Sequence, residues 1–568
     1  MRIVFPLSFF FVLILHSCNS GLDPDMILYN GDIHTIEEGK ICSCLVSTQG
    51  RISFLSKEDE ECLAKKGSKT KLIDLKGSFA MPGFIEGHGH FNGVGRMAQN
   101  LNFLDNKSWE SILSEIEAKV PEIPKGSWIE GRGWHQEKWD SLPPLSIMGY
   151  PTKYSLDSIS PDHPVVLFHA SGHGLFANSA AMEIAGITRE TPDPPGGKII
   201  KDQFGEPTGV FEERAATRIR QAYTDYLAAQ GDEARKAVWR LYTDAAQQEC
   251  LAKGITSFQD AGSSYEDIDW YKEMAEKGEL DLRLWVMLRH SFEQMENNMQ
   301  GFPIIGAGDE FFTCRAIKTE VDGALGAHGA WLLEDYEDRP GFKGQNTTET
   351  AEVERIAGLS LEHDMQLCVH SIGDRANREV LDIFEKSKNS KPEKTDWRWR
   401  VEHAQHLHPD DIKRFASLGA IASMQGIHCT SDAPFVVKRL GTKRAQEGGY
   451  AWRSLLDAGV VIANGTDAPV EDVDPLPSLY ASVTRKRTAP EMTFFEEQKM
   501  TRAEALYSYT LGNAYAGFEE KIKGSLKVGK LTDVVVLSEN LLSCPEERIL
   551  DAKVLYTIVG GEVKYQGG

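Results

Sequence analysis

The stretch Phe79-Ala80-Met81-Pro82-Gly83-Phe84-Ile85-Glu86-Gly87-His88-Gly89-His90 runs from an apolar segment into two histidines. Side chains two positions apart in a strand point the same way, so His88 and His90 would share one face. Two neutral imidazoles placed like this can hold one divalent cation. The alternative is a surface loop with two unrelated histidines. That alternative weakens because His370, His403 and Asp467 also follow short apolar, β-branched runs.

Eight apolar runs have the character of buried parallel strands, and stretches of helical character separate most of them. The runs are Phe79–Ile85, Ile255–Gln259, Leu282–Leu288, Arg315–Val321, Gln366–His370, Arg398–His403, Ala420–Met424 and Val460–Asn464. Eight such units predict an α/β protein with a (β/α)8 TIM barrel over residues 79–522. The candidate metal ligands then lie at the carboxyl ends of strands, where the active sites of barrel enzymes form.

Two further units are predicted around the barrel. Short strand-like segments at both ends of the chain indicate one composite β-sandwich domain made from residues 22–78 and 523–568. The segment between the first and second barrel strands is far too long for one crossover and is rich in Trp, Gly and Pro. We assign residues 123–215 to an inserted, cap-like subdomain at the barrel mouth.

The first residues, 1–17, have the features of an export signal. Arg2 precedes an apolar stretch that is too short to cross a bilayer. Leu15-His16-Ser17-Cys18 resembles a bacterial lipobox, whose cysteine is lipidated after cleavage. A plain signal peptide that ends near Ser20 is the alternative, because His16 is unusual in a lipobox. We therefore expect an exported protein, either periplasmic or anchored to the membrane as a lipoprotein through Cys18.

Composition restricts the class of partner. The 568 residues include 62 Lys and Arg against 84 Asp and Glu, a net charge of −22. This charge argues against nucleic acid or anionic lipid as the main partner. The partner that we expect is a small-molecule substrate. A homo-oligomer is compatible with the sequence. Among the nine cysteines, a bridge from Cys42 or Cys44 to Cys62 is the pairing that we consider.

Several motifs resemble the amidohydrolase superfamily, specifically amidohydrolase family 3. The likeness extends in order from about Met26 to the end of the chain and includes the closing segment Gly524–Asp533. The motifs are Met81-Pro82-Gly83-Phe84-Ile85-Glu86-Gly87-His88-Gly89-His90, Asp322-Gly323-Ala324-Leu325-Gly326, His370-Ser371-Ile372-Gly373-Asp374-Arg375-Ala376, Arg400-Val401-Glu402-His403-Ala404-Gln405 and Asn464-Gly465-Thr466-Asp467-Ala468-Pro469.

The resemblance implies a metal centre with one or two divalent ions. It implies that His88 and His90 bind one ion, that His370 and His403 bind a second, and that Asp467 both binds metal and carries protons. Imidazole and carboxylate ligands around an open position suit zinc. Such an ion lowers the pKa of bound water to roughly 7, which supplies hydroxide at neutral pH.

The residue that would bridge two metals is left open. Lys318 resembles a family lysine that can be carboxylated, and the carbamate formed would span both ions. Glu320 and Asp322 share its face of the strand by two-residue alternation, so Glu320 is an alternative bridge. A plain ion pair between Lys318 and Glu320 is the other alternative. Glu86 stands where the family usually has Asp.

Three residues are predicted to contact the substrate. His173 lies in the inserted region, and His328 and Trp331 follow the fourth barrel strand. For His173 the alternative is a turn histidine without a role in binding.

The predicted function is a metal-dependent hydrolase of a carbon–nitrogen bond in a non-peptide amide, a carbamate or a cyclic amide. A metal-activated hydroxide would attack, and Asp467 would pass its proton to the leaving nitrogen. One alternative is a catalytically inactive solute-binding lipoprotein, which would have no need of Asp467 beside the four histidines. The other is a deaminase or isomerase on the same scaffold. The substrate is not readable from the sequence.

Overall fold

The computed structural model describes residues 23–37, 39–488 and 491–567. The predicted export signal, 1–17, and Cys18 lie outside the described residues. Within the described ranges, no helix combines the length and the apolar character that crossing a membrane requires.

Eight parallel strands form the predicted barrel, and the (β/α)8 prediction is confirmed. In sheet order the strands are Phe84–Gly89, Ile255–Ser263, Arg283–Leu288, Phe312–Glu320, Gln366–Ser371, Arg400–His403, Ile421–Gln425 and Ile462–Gly465. The backbone N–H of Asp467 donates to the carbonyl of His88 over 2.7 Å, so the end of the eighth strand adjoins the first.

Amphipathic helices pack against the strands and complete the barrel core. Helix Asp374–Ser390, for example, buries Val380, Leu381 and Phe384, which recur at helical spacing. The helices associated with the barrel are Phe91–Gln99, Asp232–Ala252, Tyr265–Glu276, Phe292–Met295, Ala307–Glu310, Thr350–Glu362, Asp374–Ser390, Pro409–Leu418, Gly426–Gly448, Trp452–Asp457, Pro475–Thr484, Arg502–Ser508 and Leu511–Ala516.

The chain passes from one sheet to another at Gly83, and this divides the predicted first strand Phe79–Ile85. Phe79–Pro82 pairs with Asp32–His34 and Val534–Leu537 in the terminal domain, whereas the barrel strand begins at Phe84. A Cβ atom at Gly83 would lie 2.1 Å from the side chain of Thr256. Glycine therefore permits the close approach at this crossing.

Strands from both ends of the chain form the composite β-sandwich. One sheet contains Arg51–Ser56, Cys44–Thr48, Met26–Tyr29 and Lys71–Asp74, and the other contains Glu562–Gln566, Val554–Val559, Val534–Leu537, Phe79–Pro82, Asp32–His34 and Ile41–Cys42. Leu28 and Leu45 from the first sheet share one apolar core with Val534 and Ile558 from the second. Burial of this shared core explains why the two termini fold together.

The composite domain also contains a disulfide. Cys44 is bonded to Cys62, while Cys42 is a free, half-buried thiol. Cys62 lies in the short helix Asp59–Leu63. Of the two pairings considered from the sequence, the structure contains the one with Cys44.

The inserted subdomain is built on its own six-stranded sheet, and its elements extend beyond both ends of the span 123–215 assigned from the sequence. Its strands, in sheet order, are Gly197–Lys201, Pro207–Glu213, Gly174–Ala177, Val165–His169, Ile129–Trp134 and Leu101–Asn102, and its helices are Trp109–Lys119, Tyr154–Ile159, Ser179–Ile184 and Thr217–Ala228. Two separate apolar cores pack within this unit. The remaining short strands are Ile304–Gly306, Lys486–Thr488 and Glu491–Thr493.

Candidate metal centre

The predicted metal ligands meet at the carboxyl end of the barrel. Ligand atoms of His88, His403 and Asp467 all lie within 4.8 Å of one another. The Nε2 atoms of His88 and His90 lie 3.6 and 3.5 Å from Asp467 Oδ1. The ring centroids of His370 and His403 are 4.4 Å apart. The structure thus brings together the four histidines and the aspartate, from four strands that are distant in the chain.

Hydrogen bonds behind two of the imidazoles orient them toward this cluster. His88 Nδ1 bonds the carboxylate of Glu402, and His403 Nδ1 bonds Gln425 Oε1 at 2.8 Å. A carboxylate or amide oxygen only accepts, so both Nδ1 atoms carry the proton and both Nε2 atoms keep a free lone pair. Metal-bound histidines in proteins are held in this way.

The protonation states of these side chains also suit a divalent cation. Burial lowers the pKa of His88 to about 4 and holds the pKa values of His370 and His403 well below the ordinary range. Although burial opposes charge, the imidazoles of His90 and His88 keep the pKa of Asp467 well below its usual value. His88, His370 and His403 are therefore neutral imidazoles beside one carboxylate, and such groups are the donors that zinc and similar ions bind.

Two buried atoms in the centre have no partner for a hydrogen bond. In the part of the chain that the structure describes, neither His370 Nε2 nor Asp467 Oδ1 is hydrogen-bonded. Buried polar atoms are nearly always satisfied, and one left unpaired costs roughly 1–3 kcal/mol. A bound cation would satisfy both atoms, so the residues present fit a metal ion.

The backbone conformation orients the side chains of two of the candidate ligands toward the barrel mouth. His403 has a φ of +74° and Asp467 a φ of +58°, each just beyond or at the end of a barrel strand. Non-glycine residues adopt this left-handed region at a cost, and such positions concentrate at functional sites. The turn in the chain at these residues directs their side chains into the barrel mouth instead of along the strand.

The three candidates for a bridging ligand make different contacts in the structure. Glu320 forms an ion pair with Arg289, and Asp322 accepts the backbone N–H groups of Trp331, Ile372 and Gly373 at 2.8–2.9 Å. Lys318 is buried and makes no salt bridge with any described residue, so the alternative ion pair with Glu320 is absent. Burial lowers the pKa of Lys318, which favours the neutral amine that carboxylation needs. The bridging role of Lys318 stays a prediction.

Glu86 connects the first and eighth strands beneath the metal ligands. Its carboxyl group accepts the backbone N–H of Thr466 at 2.6 Å and that of His88 at 3.2 Å. Burial raises the pKa of Glu86 to about 8. The longer side chain at this position therefore supports the ligand-bearing backbone.

Of the three predicted substrate contacts, His173 lies at the metal centre. Its ring centroid is 6.2 Å from that of His370, and its Nδ1 atom lies 3.1 Å from Glu213. Burial acts against the charged imidazole, but Glu213 raises the pKa of His173 above its usual value. His328 instead bonds Asp338 at 3.2 Å. Neither His328 nor Trp331 lines the two cavities at the centre, and the binding roles of all three residues stay predictions.

Two cavities open onto the ligands. The larger, of about 1230 Å³, is lined by the metal centre together with residues of the inserted subdomain such as Arg132, His173 and Arg220. The smaller, of about 120 Å³, shares His370, His403 and Asp467 with it. The inserted subdomain thus supplies walls around the barrel mouth, and its role as a cap stays a prediction.

Sequence reasoning did not assign roles to four of these residues: Glu402, Gln425, Arg132 and Arg220. Glu402 directly precedes His403, and that adjacency is the one local signal for a supporting acid. Gln425 ends the seventh strand, and the two arginines lie in the inserted subdomain. Their roles depend on contacts between segments that are far apart in the chain.

Comparisons with known proteins agree with this geometry. Residues 71–565 match the sequence model described as the amidohydrolase family. YtcJ of Bacillus subtilis (strain 168), which its name describes as an amidohydrolase, is 32% identical over 95% of this chain and 99% of its own. The N-substituted formamide deformylase of Arthrobacter pascens is 26% identical over 95% of this chain and 98% of its own.

Among solved structures, an uncharacterized metal-dependent hydrolase from Pyrococcus furiosus superposes with a TM-score of 0.71 at 25% sequence identity. The superposition covers 91% of this chain and 100% of that protein. The likeness therefore extends beyond the barrel to most of both chains.

Proposed function

The chain belongs to the amidohydrolase family and is a metal-dependent hydrolase of carbon–nitrogen bonds, and from this premise we propose that it cleaves non-peptide amides, carbamates or cyclic amides. The observation that carries the proposal is the convergence of His88 Nε2, His90 Nε2 and a ring nitrogen of His403 on the Asp467 carboxylate at the barrel mouth. The relative named N-substituted formamide deformylase supports an amide among these classes.

We propose that His88, His90, His370, His403 and Asp467 hold one or two zinc ions. A divalent ion bound there would lower the pKa of a bound water to roughly 7 and polarise the carbonyl group of a substrate. Asp467 lines the same cavity, and its Oδ1 atom accepts no hydrogen bond from the described residues. Its carboxylate can take the proton of the attacking water and deliver it to the leaving nitrogen.

His173 and Glu213, which belong to the inserted subdomain, line the same cavity as the candidate metal ligands. Because Glu213 raises the pKa of His173, the imidazole can carry a proton and donate a hydrogen bond to the carbonyl side of the substrate. The barrel thus supplies the reacting groups, and the cap supplies a substrate contact.

The alternative functions are not favoured. A catalytically inactive solute-binding protein would have no need of the Asp467 carboxylate as a proton carrier beside these imidazoles. A deaminase or isomerase could use the same scaffold, but the relatives named above are described as hydrolases, an amidohydrolase and a deformylase.

A substrate panel tests the proposal. Zinc-loaded enzyme would be incubated with N-formyl and N-acetyl amides, carbamates and cyclic amides, and the released amine or ring-opened acid would be measured by chromatography. We expect at least one class to be hydrolysed. Release of ammonia from amino-heterocycles alone would favour the deaminase, and binding without turnover would favour the solute-binding protein.

We further propose that a carbamate on Lys318 bridges two ions. Lys318→Ala should then lose bound metal, measured by inductively coupled plasma mass spectrometry, because two positive ions would lose their shared anion. Bicarbonate with a short carboxylic acid should restore part of the metal. Lys138→Ala is the matched control, since Lys138 lines the smaller cavity but is already paired with Glu471. Full metal occupancy in Lys318→Ala would assign the bridge to Glu320 or remove it.

We propose export of the protein, with a lipid anchor at Cys18. The apolar N-terminal stretch and the resemblance of Leu15–Cys18 to a lipobox support it, and the Cys44–Cys62 disulfide suits an oxidising compartment. Cys18→Ser should move the protein from the membrane fraction to the soluble fraction, as followed by immunoblotting. Cys42→Ser serves as the control. Unchanged partitioning would exclude the lipid anchor, and export through a plain signal peptide would then be the remaining prediction.

A further inference from the structure

Two arginines of the inserted subdomain line the large cavity without a carboxylate partner. Arg132 lies in strand Ile129–Trp134 and Arg220 in helix Thr217–Ala228. Both side chains are half-buried. Across residues 23–37, 39–488 and 491–567, neither guanidinium forms a salt bridge with an acidic side chain.

Two other arginines of the same cavity are paired with carboxylates, whereas Arg214 is exposed and donates to the carbonyl of Thr347. Arg96 forms a two-point ion pair with Glu130, and Arg289 pairs with Glu320. Arg132 and Arg220 are only half-buried and have no acidic side chain in contact among the described residues, although Arg220 lies over the Phe168 ring at 5.1 Å from its centroid. Both charges therefore remain available to an anion that enters the cavity. Burial also lowers the pKa of Arg132 to about 10 and lowers that of Arg220.

The two guanidinium groups are placed beside the reacting residues. Arg132 donates to the carbonyl of Pro469 at 3.2 Å, two residues beyond Asp467, and to the carbonyl of Ala170 at 3.0 Å. Arg220 donates to the carbonyl of Gly172 at 2.8 Å, next to His173. Both arginines are therefore fixed by backbone carbonyls on the loop that carries His173.

These contacts leave donors free. A guanidinium has five N–H donors, and the bonds to backbone carbonyls engage Nε and Nη2 of Arg132 but only Nη2 of Arg220. The Nη1 group of each arginine has no hydrogen-bond partner in the described part of the chain. The planar guanidinium matches the geometry of a carboxylate better than it matches any neutral group.

We propose that Arg132 and Arg220 bind a carboxylate group of the substrate, so that the enzyme acts on amide-type compounds that are also carboxylic acids. The part of this inference that concerns the reaction rests on the proposed function, whereas the binding of a carboxylate by the two arginines does not. The cap then selects for the anionic group while the barrel holds the carbon–nitrogen bond that is cleaved.

Matched ligands test the binding site. N-formyl amino acids and the corresponding N-formyl amino-acid amides differ only in the charge of the carboxyl end. Binding would be measured by calorimetry on metal-loaded Asp467→Asn protein, which is expected to turn these compounds over slowly. We expect the acids to bind about 10- to 100-fold more tightly than the amides, as charge-assisted hydrogen bonds predict.

Variants assign this preference to the arginines. Arg132→Gln and Arg220→Gln, made in the same background, should reduce the acid-over-amide preference about 10-fold or more while amide binding stays the same. The corresponding lysine variants should keep part of the preference, because charge remains but the planar fork is lost. Arg214→Gln is the control, since Arg214 is exposed at the same cavity and should leave the preference unchanged.

Each outcome decides between explanations. Equal affinity for acids and amides would overturn the proposal. An equal loss of affinity for both ligands in the glutamine variants would also overturn it, because it would indicate that the arginines only hold the loop in place. Tighter binding of phenylphosphonate than of phenylacetate would overturn the choice of carboxylate in favour of a phosphate-like anion. If acids bind clearly more tightly than amides but no compound of the substrate panel is hydrolysed, the proposed function is refuted while the proposed carboxylate-binding site is supported.

Discussion

Asp467→Asn is expected to lower kcat by about 10²- to 10⁴-fold, the usual contribution of a positioned proton carrier. The asparagine keeps the shape of the side chain but cannot take up the proton of the attacking water. Its amide oxygen is also a weaker metal ligand than the carboxylate, whose low pKa keeps it charged in the parent enzyme. KM should change much less than kcat. Steady-state kinetics on a substrate found in the panel would measure both constants.

Metal content and folding must be measured beside the rate, because Asp467 lies within reach of His88 and His90. Asp472→Asn is the matched control, since Asp472 is exposed and close in sequence but lines neither cavity. If Asp467→Asn stays folded and metal-loaded yet turns over at near the parent rate, another group carries the proton. The assignment of Asp467 would then be abandoned.

Removal of the metal should lower turnover by about 10³-fold or more, because metal catalysis supplies several kcal/mol of transition-state stabilisation. The loss should be reversible. Zinc should restore activity at lower concentration than magnesium does, since imidazole-rich sites favour zinc and magnesium prefers oxygen ligands. Dialysis against a chelator, followed by assays with added metal, measures both effects.

The metal should also stabilise the fold. Without it, the buried His370 Nε2 and Asp467 Oδ1 atoms lack hydrogen-bond partners among the described residues. Thermal unfolding of the chelated protein should therefore occur at a lower temperature than that of the zinc-loaded protein, because a ligand that binds only the folded state stabilises it. A chelated sample shown to be free of metal that keeps its full rate would contradict the proposed function.

Much of the barrel was predictable because its signals are local. Runs such as Gln366–His370 and Ala420–Met424 are short, apolar and separated by helical stretches, and the observed strands Gln366–Ser371 and Ile421–Gln425 agree within a residue or two. Phe79–Ile85 was predicted as one strand but is divided between two. Its apolar pattern is continuous, but its two halves belong to different sheets, and the sequence pattern alone does not show which sheet each half joins.

The cluster of ligands was predictable for a related reason. Parallel strands in a barrel all end at the same rim, so residues such as His370, His403 and Asp467 that follow strands must lie at that rim. Their order along the chain and their residue types then indicate a metal. Whether they converge on a common point depends on strand register and backbone angles, and both appear only in the folded chain.

The sequence by itself therefore determined the barrel and the residues at its mouth, because strand alternation and motif chemistry act over a few neighbouring residues, and its resemblance to a known family implied the class of reaction. Tertiary structure alone decided which partners those residues meet. His88 meets Glu402 across 314 positions of sequence, and Arg132 meets Pro469 across 337. Such contacts arise when closure of the barrel and docking of the cap bury polar groups together, and the energy of that burial is a property of the assembled surfaces.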